Sequence, residues 1–562
     1  MSQRHLSILQ INDLHGYLEP HPEVFRGRGQ FNYRTCGGLA RIASIFKQVR
    51  TECPGAVLAL DNGDTFHGTF VAGQSRGEAM LPLMNALEFD AMTLHWEFAY
   101  GPAQVRKLAA GLTYPALAIN IYDKVSGQPV FDPSCVIERA GLRIGIIGIA
   151  SNIVDKGMPP SFSEGVRFTL GNTELPGHID RLRSVDKVDL VVVLSHLGFA
   201  QDAQLAAEVP GIDALISGHT HNRLYRPVWV GRTPIIQSGC HGSFVGRLDL
   251  TVEGGQVIDV RHQLICVDEQ IEPDAEMTHR VAEIVAPHRD FLDQVVGRVH
   301  RPLDRATSLE ASMDNVLLDA IAAAAGTRLA FSNGWRYGAP ILPGDVTMEH
   351  LWNIVPTHPP ISTVELSGDE LRAMLEANLE RTYSPDPYRQ MGGFVKRCRG
   401  LNMYFKMENP KGHRIEDLLV DGVPVQPGRI YRASDAGRAG RTHEVRQQPA
   451  EDRGRCDPVL AAAVRARHPG ARQPARQRGG GLTGRTLQGA SCAATNRPPR
   501  HAHDNHGCVR HPTDSPSSGH YRSVRCPCDG HGTSRPTPMK SALSQRSMHH
   551  AKRAKVAQGV RT

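Results

Sequence analysis

Acidic and histidine side chains recur in five short segments of the first 222 residues, four of them directly after an apolar run. The segments are NDLHG (12–16), NGDTFHG (62–68), LHWEFAYG (94–101), SHLG (195–198) and SGHTHN (217–222). A pair of divalent cations needs carboxylate and imidazole donors, with one carboxylate shared by both ions. One histidine at a strand end is usually structural, whereas seven such residues together predict a dinuclear metal site. Its ligands would be Asp13, His15, Asp64, His95, His196, His219 and His221.

Five apolar runs, four of them directly before one of these segments, predict strands of a layered α/β domain. The runs are LSILQI (6–11), AVLALD (56–61), IGIIGIA (144–150), DLVVVLS (189–195) and DALISG (213–218). Because they are continuously apolar rather than alternating, they indicate strands that are covered on both faces. In layered α/β folds, ligands bind where loops leave the carboxyl ends of such strands. We therefore expect the five polar segments to converge on one site.

Three of the motifs resemble the calcineurin-like metallophosphoesterase domain of the 5′-nucleotidase family. NDLHG, GDTFHG and GHTH match that family in sequence and in order, and CGGLARIASI (36–45) resembles the helix after its first loop. The resemblance covers about residues 1–434 and implies two divalent metal ions, manganese or alternatively zinc, with Asp64 bridging them. One ion would be held by Asp13, His15 and His221, and the other by His95, His196 and His219.

The same resemblance implies the domain organisation. We expect a four-layer α/β/β/α metallophosphoesterase domain over residues 1–266 and a connecting helix over 267–299, where the sequence also has helical periodicity. A smaller α+β C-terminal domain of the 5′-nucleotidase type would follow over 300–434, and we expect it to be truncated. The overall fold class is therefore α/β, with a disordered tail over 435–562.

The third motif departs from the family pattern, which reads Gly-Asn-His-Glu-Phe-Asp-Tyr-Gly. His95 stands in place of a metal-binding Asn, and imidazole is a good metal ligand. Trp96 and Ala99 replace a His–Asp pair that, by the resemblance, stabilises the transition state and assists the leaving group. General acid–base help contributes about 10²–10⁴-fold. A thiolate or persulfide leaves without it, because thiol pKa values lie near ~8.5 or below.

The HWEF variant resembles the SoxB thiosulfohydrolase branch of the family, which hydrolyses a sulfonate group from a Cys-bound sulfur chain on a carrier protein. We therefore predict a metal-dependent hydrolase for a substrate with a good leaving group, either a carrier-protein-bound thiosulfonate or a small-molecule phosphoester. Two alternatives stay open. One is a conventional 5′-nucleotidase or phosphomonoesterase of nucleotide catabolism, and the other is an inactive metal-binding remnant. Packing of the pocket wall is the alternative role for Trp96 and is compatible with the thiosulfohydrolase prediction.

The second domain supplies the candidate residues for substrate binding. SNGWRYG (332–338) takes the place of the family's substrate-clamping Asn-Gly-Gly-x-Arg turn, so the resemblance implies that Asn333 and Arg336 contact the substrate. A guanidinium can hold phosphate or sulfonate oxygens through two parallel N–H donors. We predict His95, Trp96 and Arg336 as the catalytic residues. An arginine in an ordinary surface ion pair is the alternative for Arg336.

The last 128 residues differ from the rest in charge and composition. Residues 435–562 contain 23 Lys and Arg against 8 Asp and Glu, a net charge of +15, whereas residues 1–434 carry −8. They contain no Ile, Phe or Trp, so they cannot bury enough apolar area to offset the entropy of ordering. We expect a disordered basic tail. Out-of-frame translation of GC-rich DNA would give this composition, and we favour it over a nucleic-acid-binding arm.

The sequence also limits the cellular setting. No apolar run approaches the ~18 residues of a membrane helix, and no secretory leader precedes the first strand. We therefore expect no membrane partner and a cytoplasmic location as the sequence is written, or a periplasmic one if the true start lies upstream. The six cysteines of residues 1–434 show no framework spacing, so no disulfide is implied.

Overall fold

The computed structural model describes residues 2–27, 29–355, 357 and 359–436, which all lie in one compact unit, Met1–Arg476. The prediction of a disordered or out-of-frame tail falls almost entirely on residues outside this described part. No helix in the described part is long and apolar enough to cross a membrane.

The N-terminal domain is built on two sheets. Its strands are β1 Arg4–Ile11, β2 Pro20–Arg26, β3 Phe31–Gly37, β4 Val57–Asp61, β5 Ala91–Met92, β6 Ile121–Asp123, β7 Ser134–Arg139, β8 Leu142–Ile149, β9 Val166–Phe168, β10 Leu190–Ser195, β11 Ala214–Ser217, β12 Val228–Val230, β13 Thr233–Ile236, β14 Phe244–Glu253 and β15 Gln256–Cys266. Its helices are α1 Leu39–Glu52, α2 Phe70–Gln74, α3 Leu81–Ala86, α4 Pro102–Gly111, α5 Val154–Gly157, α6 Leu175–Ser184 and α7 Phe199–Glu208.

The strands that carry the polar segments are parallel within each sheet. The first sheet has the order β15-β14-β1-β4-β5, and the second has the order β12-β13-β11-β10-β8-β7. Strands β1, β4 and β5 are parallel, as are β8, β10, β11 and β13, and the remaining strands pair antiparallel at the edges. The carboxyl ends of the parallel strands therefore lie together at one edge of each sheet.

Side-chain alternation along these strands produces the layers. In β10, Leu190 and Val192 pack between the two sheets, whereas Val191 and Val193 face the helices α6 and α7. In β1, Ile8 packs between the sheets while its neighbour Leu9 faces the α1 side. Both faces of each sheet are buried, which explains the continuous apolar runs. The predicted four-layer α/β/β/α domain is confirmed.

The segment 267–299 differs from the single connecting helix that we expected. It contains α8 Ala275–Val285, a 3₁₀ turn at Ala286–His288, α9 Arg289–Leu292 and the strand β16 Val295–Val299. Pro287 interrupts the helix because proline has no backbone N–H to donate. The β-branched residues that follow favour a strand, and β16 pairs with a strand of the C-terminal domain.

The C-terminal domain is an α+β unit around a mixed four-stranded sheet. Its further elements are α10 Ser312–Ala325, β17 Leu329–Gly334, β18 Gly344–Thr347, α11 Met348–Trp352, β19 Ile361–Ser367, α12 Gly368–Tyr383, β20 Phe394–Arg399, β21 Leu401–Phe405, β22 Ile415–Val420, β23 Val423–Pro424 and β24 Ile430–Ala436. The sheet order is β19-β24-β17-β20. In β17, Ala330 faces α10 while Leu329 and Phe331 face α12, so helices cover both faces.

Candidate metal centre and substrate pocket

The seven predicted metal ligands lie in five loops at the carboxyl ends of parallel strands. In chain order, the loops follow β1 (Asp13, His15), β4 (Asp64), β5 (His95), β10 (His196) and β11 (His219, His221). All of these residues except His95 and His196 have a positive φ, between 52° and 70°. This backbone region is uncommon for residues with a side chain, and its strain concentrates at functional sites. The structure brings all seven side chains together.

Asp64 lies at the centre of the cluster. Its carboxylate oxygens are 3.0 Å from His95 Nδ1 and 3.2 Å from His196 Nε2. Asp13 Oδ1 is 3.1 Å from His221 Nε2. Two groups of donor atoms, each within 4.8 Å of one another, share Asp64. The groups are Asp64, His95, His196 and His219, and Asp13, His15, Asp64 and His221, the same division that the resemblance implies.

The donor set fits a pair of divalent cations. The Nε2 atoms of His95 and His219 are buried and have no hydrogen-bond partner among the described residues. In the same described part, His196 Nε2 and Asp13 Oδ1 make no well-aligned hydrogen bond, although Asp64 lies 3.2 Å from the first and His221 lies 3.1 Å from the second. A buried polar atom without a hydrogen bond destabilises the folded protein by about 1–3 kcal/mol. Several such atoms in one place therefore indicate a bound group that contacts all of them. His196 is also oriented for this, because its Nδ1 lies 2.5 Å from the Asn62 carbonyl oxygen, which leaves Nε2 toward the cluster.

The charges of the cluster suit cation binding. Burial acts to raise the pKa of Asp64, but His95 and His196 outweigh burial and hold this pKa well below its usual range. Burial lowers the pKa of His196, and the Asp64 carboxylate reverses this and raises it to about 9. Burial, His95 and Arg336 together hold the pKa of His219 well below its usual value. The Asp64 carboxylate is therefore ionised and His219 is neutral at pH 7, as ligands must be, whereas His196 is protonated in the absence of a cation and would have to release that proton on binding one.

Trp96 contacts Asp64 through its backbone and lines the cavity with its indole ring. Its backbone N–H donates to Asp64 Oδ1 at 2.7 Å, and its ring stacks on His67 with centroids 5.1 Å apart and an interplanar angle of 17°. His67 Nε2 is in turn 3.0 Å from His15 Nδ1. His67 was not among the predicted site residues, although it lies within the GDTFHG motif. Ala99 offers no functional group, so neither replaced position supplies a proton donor.

Glu97, the acidic residue of the HWEF segment, ties two of the loops together. Its carboxylate accepts hydrogen bonds from the backbone N–H groups of Thr65 and His95, both at 2.7 Å. Thr65 follows Asp64 directly, so this buried side chain fixes the loop after β4 against the loop after β5. Glu97 therefore positions two predicted ligands without touching the donor atoms themselves.

A cavity of about 230 Å³ lies over the cluster and is closed by the C-terminal domain. Asn333 and Arg336 both line it, as do Arg381 and Phe394, which the sequence analysis did not select. Arg336 Nη2 donates to the His219 carbonyl oxygen at 2.8 Å, and its buried Nε has no hydrogen-bond partner in the part of the chain that the structure describes.

Arg336 takes part in no ion pair found within the described ranges. Its guanidinium carbon lies 6.0 Å from the centre of the Phe394 ring. Asn333 is exposed at the cavity edge, with Oδ1 3.5 Å from Lys396 Nζ. A Cβ at Gly392 would overlap His219 Nε2, so only glycine lets this loop approach the cluster so closely.

Comparisons with known proteins agree with this architecture. Residues 295–434 match the model of the 5′-nucleotidase C-terminal domain. The chain is 26% identical over 464 residues to a snake venom 5′-nucleotidase from Naja atra, and the aligned region covers 74% of this chain and 84% of that protein. It is 23% identical over 484 residues to the trifunctional nucleotide phosphoesterase protein YfkN of Bacillus subtilis, covering 76% of this chain but only 31% of YfkN.

A solved structure with a similar fold supports the same relationship. Sulfate thiohydrolase SoxB from Thermus thermophilus superposes with a TM-score of 0.77 at 27% identity, covering 82% of this chain and 94% of that chain. The resemblance to the 5′-nucleotidase family is confirmed, and so is the prediction of a hydrolytic enzyme.

Proposed function

We propose that this hydrolase, a relative of the 5′-nucleotidases and of SoxB, releases sulfate from a thiosulfonate carried on a protein cysteine. The reaction would be R–S–S–SO₃⁻ + H₂O → R–S–S⁻ + SO₄²⁻ + 2 H⁺, in which the S–SO₃ bond breaks and the persulfide leaves. One observation carries the proposal: Trp96, which lines the cavity over the cluster and stacks on His67, stands where the family pattern has the His of its His–Asp pair. A persulfide leaves without protonation, whereas an alkoxide does not.

Two divalent ions fit the donor set and would, when bound, supply an activated water at neutral pH and charge stabilisation for the sulfonate oxygens. Manganese is our first choice and zinc the alternative. The side chains that would hold them are Asp13, His15 and His221 on one side and His95, His196 and His219 on the other, with Asp64 shared.

Arg336 would orient the sulfonate. Its Nη2 donates to the His219 carbonyl oxygen, its Nε has no partner among the residues whose positions are described, and the side chain lines the cavity. A guanidinium held in this way can donate to two oxygens of one anionic group. Trp96 and Phe394 supply apolar parts of the cavity wall, which would limit the access of bulk solvent to the bond that breaks.

A conventional phosphomonoesterase is the alternative, and the 5′-nucleotidase relatives favour it. An alkoxide leaving group needs a proton, and His67 is the imidazole that stacks on Trp96. Burial lowers the pKa of His67 to about 3, so this ring is neutral at pH 7 and a poor acid. We therefore expect slow hydrolysis of alkyl phosphates.

The test compares three substrates on the full-length protein loaded with Mn²⁺: a protein cysteine thiosulfonate, AMP and bis(p-nitrophenyl) phosphate. We expect sulfate release from the first, measured by ion chromatography, to exceed phosphate release from AMP by at least about 10²-fold, the lower end of general-acid help. Faster turnover of AMP would favour the phosphomonoesterase. Inertness towards all three despite bound metal would favour an inactive remnant.

The double variant Trp96→His with Ala99→Asp is the matched test of the leaving-group argument. It should raise AMP hydrolysis because it restores a proton donor, while sulfate release should not rise. An unchanged AMP rate with intact metal content would count against our explanation of the HWEF segment.

A further inference from the structure

Two cysteines far apart in sequence lie side by side in the fold. Cys36 near the end of β3 and Cys266 at the end of β15 are 230 residues apart, and their Sγ atoms are 3.7 Å apart. The backbone holds the pair in place, because Gly37 N–H donates to the Val267 carbonyl oxygen at 2.7 Å and Cys36 forms a β-bridge with Asp268. The sequence spacing gave no sign of this pair.

The two thiols differ in exposure and in acidity. Cys36 is fully buried, whereas Cys266 is half-buried and reachable from solvent. The hydrogen bond from the Cys36 thiol lowers the pKa of Cys266, and the same bond, together with burial, raises the pKa of Cys36. Arg34 adds a positive charge, with Nη2 3.9 Å from Cys266 Sγ. The more acidic thiol is thus the accessible one, as a nucleophile must be.

We propose that Cys36 and Cys266 form a reversible disulfide that fastens the β2–β3 hairpin to the end of β15. A disulfide has an S–S length of about 2.0 Å, so the two sulfur atoms must approach by about 1.7 Å from their separation of 3.7 Å. Rotation of the partly exposed Cys266 side chain can provide this movement. The proposal does not depend on the catalytic function.

A disulfide of the glutathione type would serve as the oxidant. The Cys266 thiolate attacks one sulfur of oxidised glutathione and expels one glutathione thiolate, which gives a mixed disulfide. The Cys36 thiol then loses its proton, attacks Cys266 Sγ and expels the second glutathione thiolate. Two protein thiols lose two electrons and two protons in total, and one oxidised glutathione becomes two reduced molecules.

The bond would support one side of the candidate metal centre. Cys36 pairs in register with His21 of β2. The His21 ring packs on Tyr17 at 4.6 Å, and Tyr17 packs on His241 at 4.4 Å. His241 lies 5.7 Å from the ring of the predicted ligand His15. Fixing the hairpin therefore holds the aromatic layer behind His15.

The linkage can be mapped directly on the full-length protein. After incubation with oxidised glutathione, alkylation and tryptic digestion, residues 35–41 and 262–280 form peptides with one cysteine each. We expect them as one linked species, two hydrogen masses lighter than their sum, that separates on reduction. Cys36→Ser and Cys266→Ser should abolish it, and Cys135→Ser, which removes another half-buried thiol, should leave it intact.

A melting-temperature measurement gives the second readout. Closing so long a loop restricts the unfolded chain, so oxidation should raise the melting temperature by about 5 °C in the wild type and in Cys135→Ser but not in Cys266→Ser. Both peptides alkylated separately after prolonged oxidation would overturn the proposal. An equal melting-temperature shift in Cys266→Ser would also overturn it, because this variant lacks the sulfur atom that the disulfide requires.

Discussion

Replacing Asp64 with Asn should remove metal stabilisation from both ligand groups at once. Asp64 is the residue that they share, with oxygens 3.0 Å from His95 and 3.2 Å from His196. A ligand at 100 times its Kd stabilises the native state by about 2.7 kcal/mol, so two ions give about 5 kcal/mol. This corresponds to a rise in the melting temperature of about 6 °C if residues 2–436 unfold together and of about 10 °C if the N-terminal domain unfolds alone.

Calorimetry with and without Mn²⁺, paired with metal analysis of the dialysed protein, measures this effect. Wild type should bind two ions and show the full rise. Asp64→Asn should bind fewer than one ion and shift by less than about 1 °C, because an amide keeps the shape of the side chain but loses the bridging charge. Asp180→Asn, an exposed carboxylate on α6, is the control and should behave as wild type. Two bound ions and an unchanged rise in Asp64→Asn would refute the shared-ligand interpretation.

Three further variants test the surroundings of the centre. Arg336→Lys should lower kcat/KM for sulfate release by about 10–100-fold, because an ammonium cannot donate to two oxygens in parallel. The control Arg298→Lys, at an exposed position, should have no effect. A kcat/KM of Arg336→Lys equal to that of the wild type would exclude Arg336 from substrate binding. Glu97→Gln should weaken Mn²⁺ binding about 10–100-fold in titration calorimetry. The side-chain amide has only one oxygen, so either the Thr65 or the His95 backbone N–H loses its acceptor. An unaltered Kd would show that Glu97 does not hold the two loops in place. Burial raises the pKa of Asp202 to about 7, so this carboxyl destabilises the fold progressively as pH rises from about 4 to 7. Asp202→Asn should therefore gain up to about 4 kcal/mol relative to wild type between pH 4 and pH 8 in urea unfolding, and a pH-independent difference would contradict the raised pKa.

The sequence predicted the layers and the identity of the candidate ligands because both are recorded locally. A strand that is buried on both faces must be apolar at consecutive positions, as in β10, where Val192 and Val193 face different layers. The loop after a strand carries its polar residues directly behind the apolar run, so Asp64 and His196 could be recognised without knowing which strands are neighbours. The connecting helix predicted over 267–299 extends too far, because the helical pattern before Pro287 was continued past that proline and over the valines of β16.

Tertiary structure alone decided which side chains meet across long stretches of chain. The stacking of His67 on Trp96, the contact of Arg336 with the His219 carbonyl oxygen and the approach of Cys36 to Cys266 join residues between 29 and 230 positions apart. No periodicity links such positions, since their separation depends on every loop between them. The sequence thus determined what chemistry each loop carries, and the packing of two sheets and a second domain determined which groups act on one another.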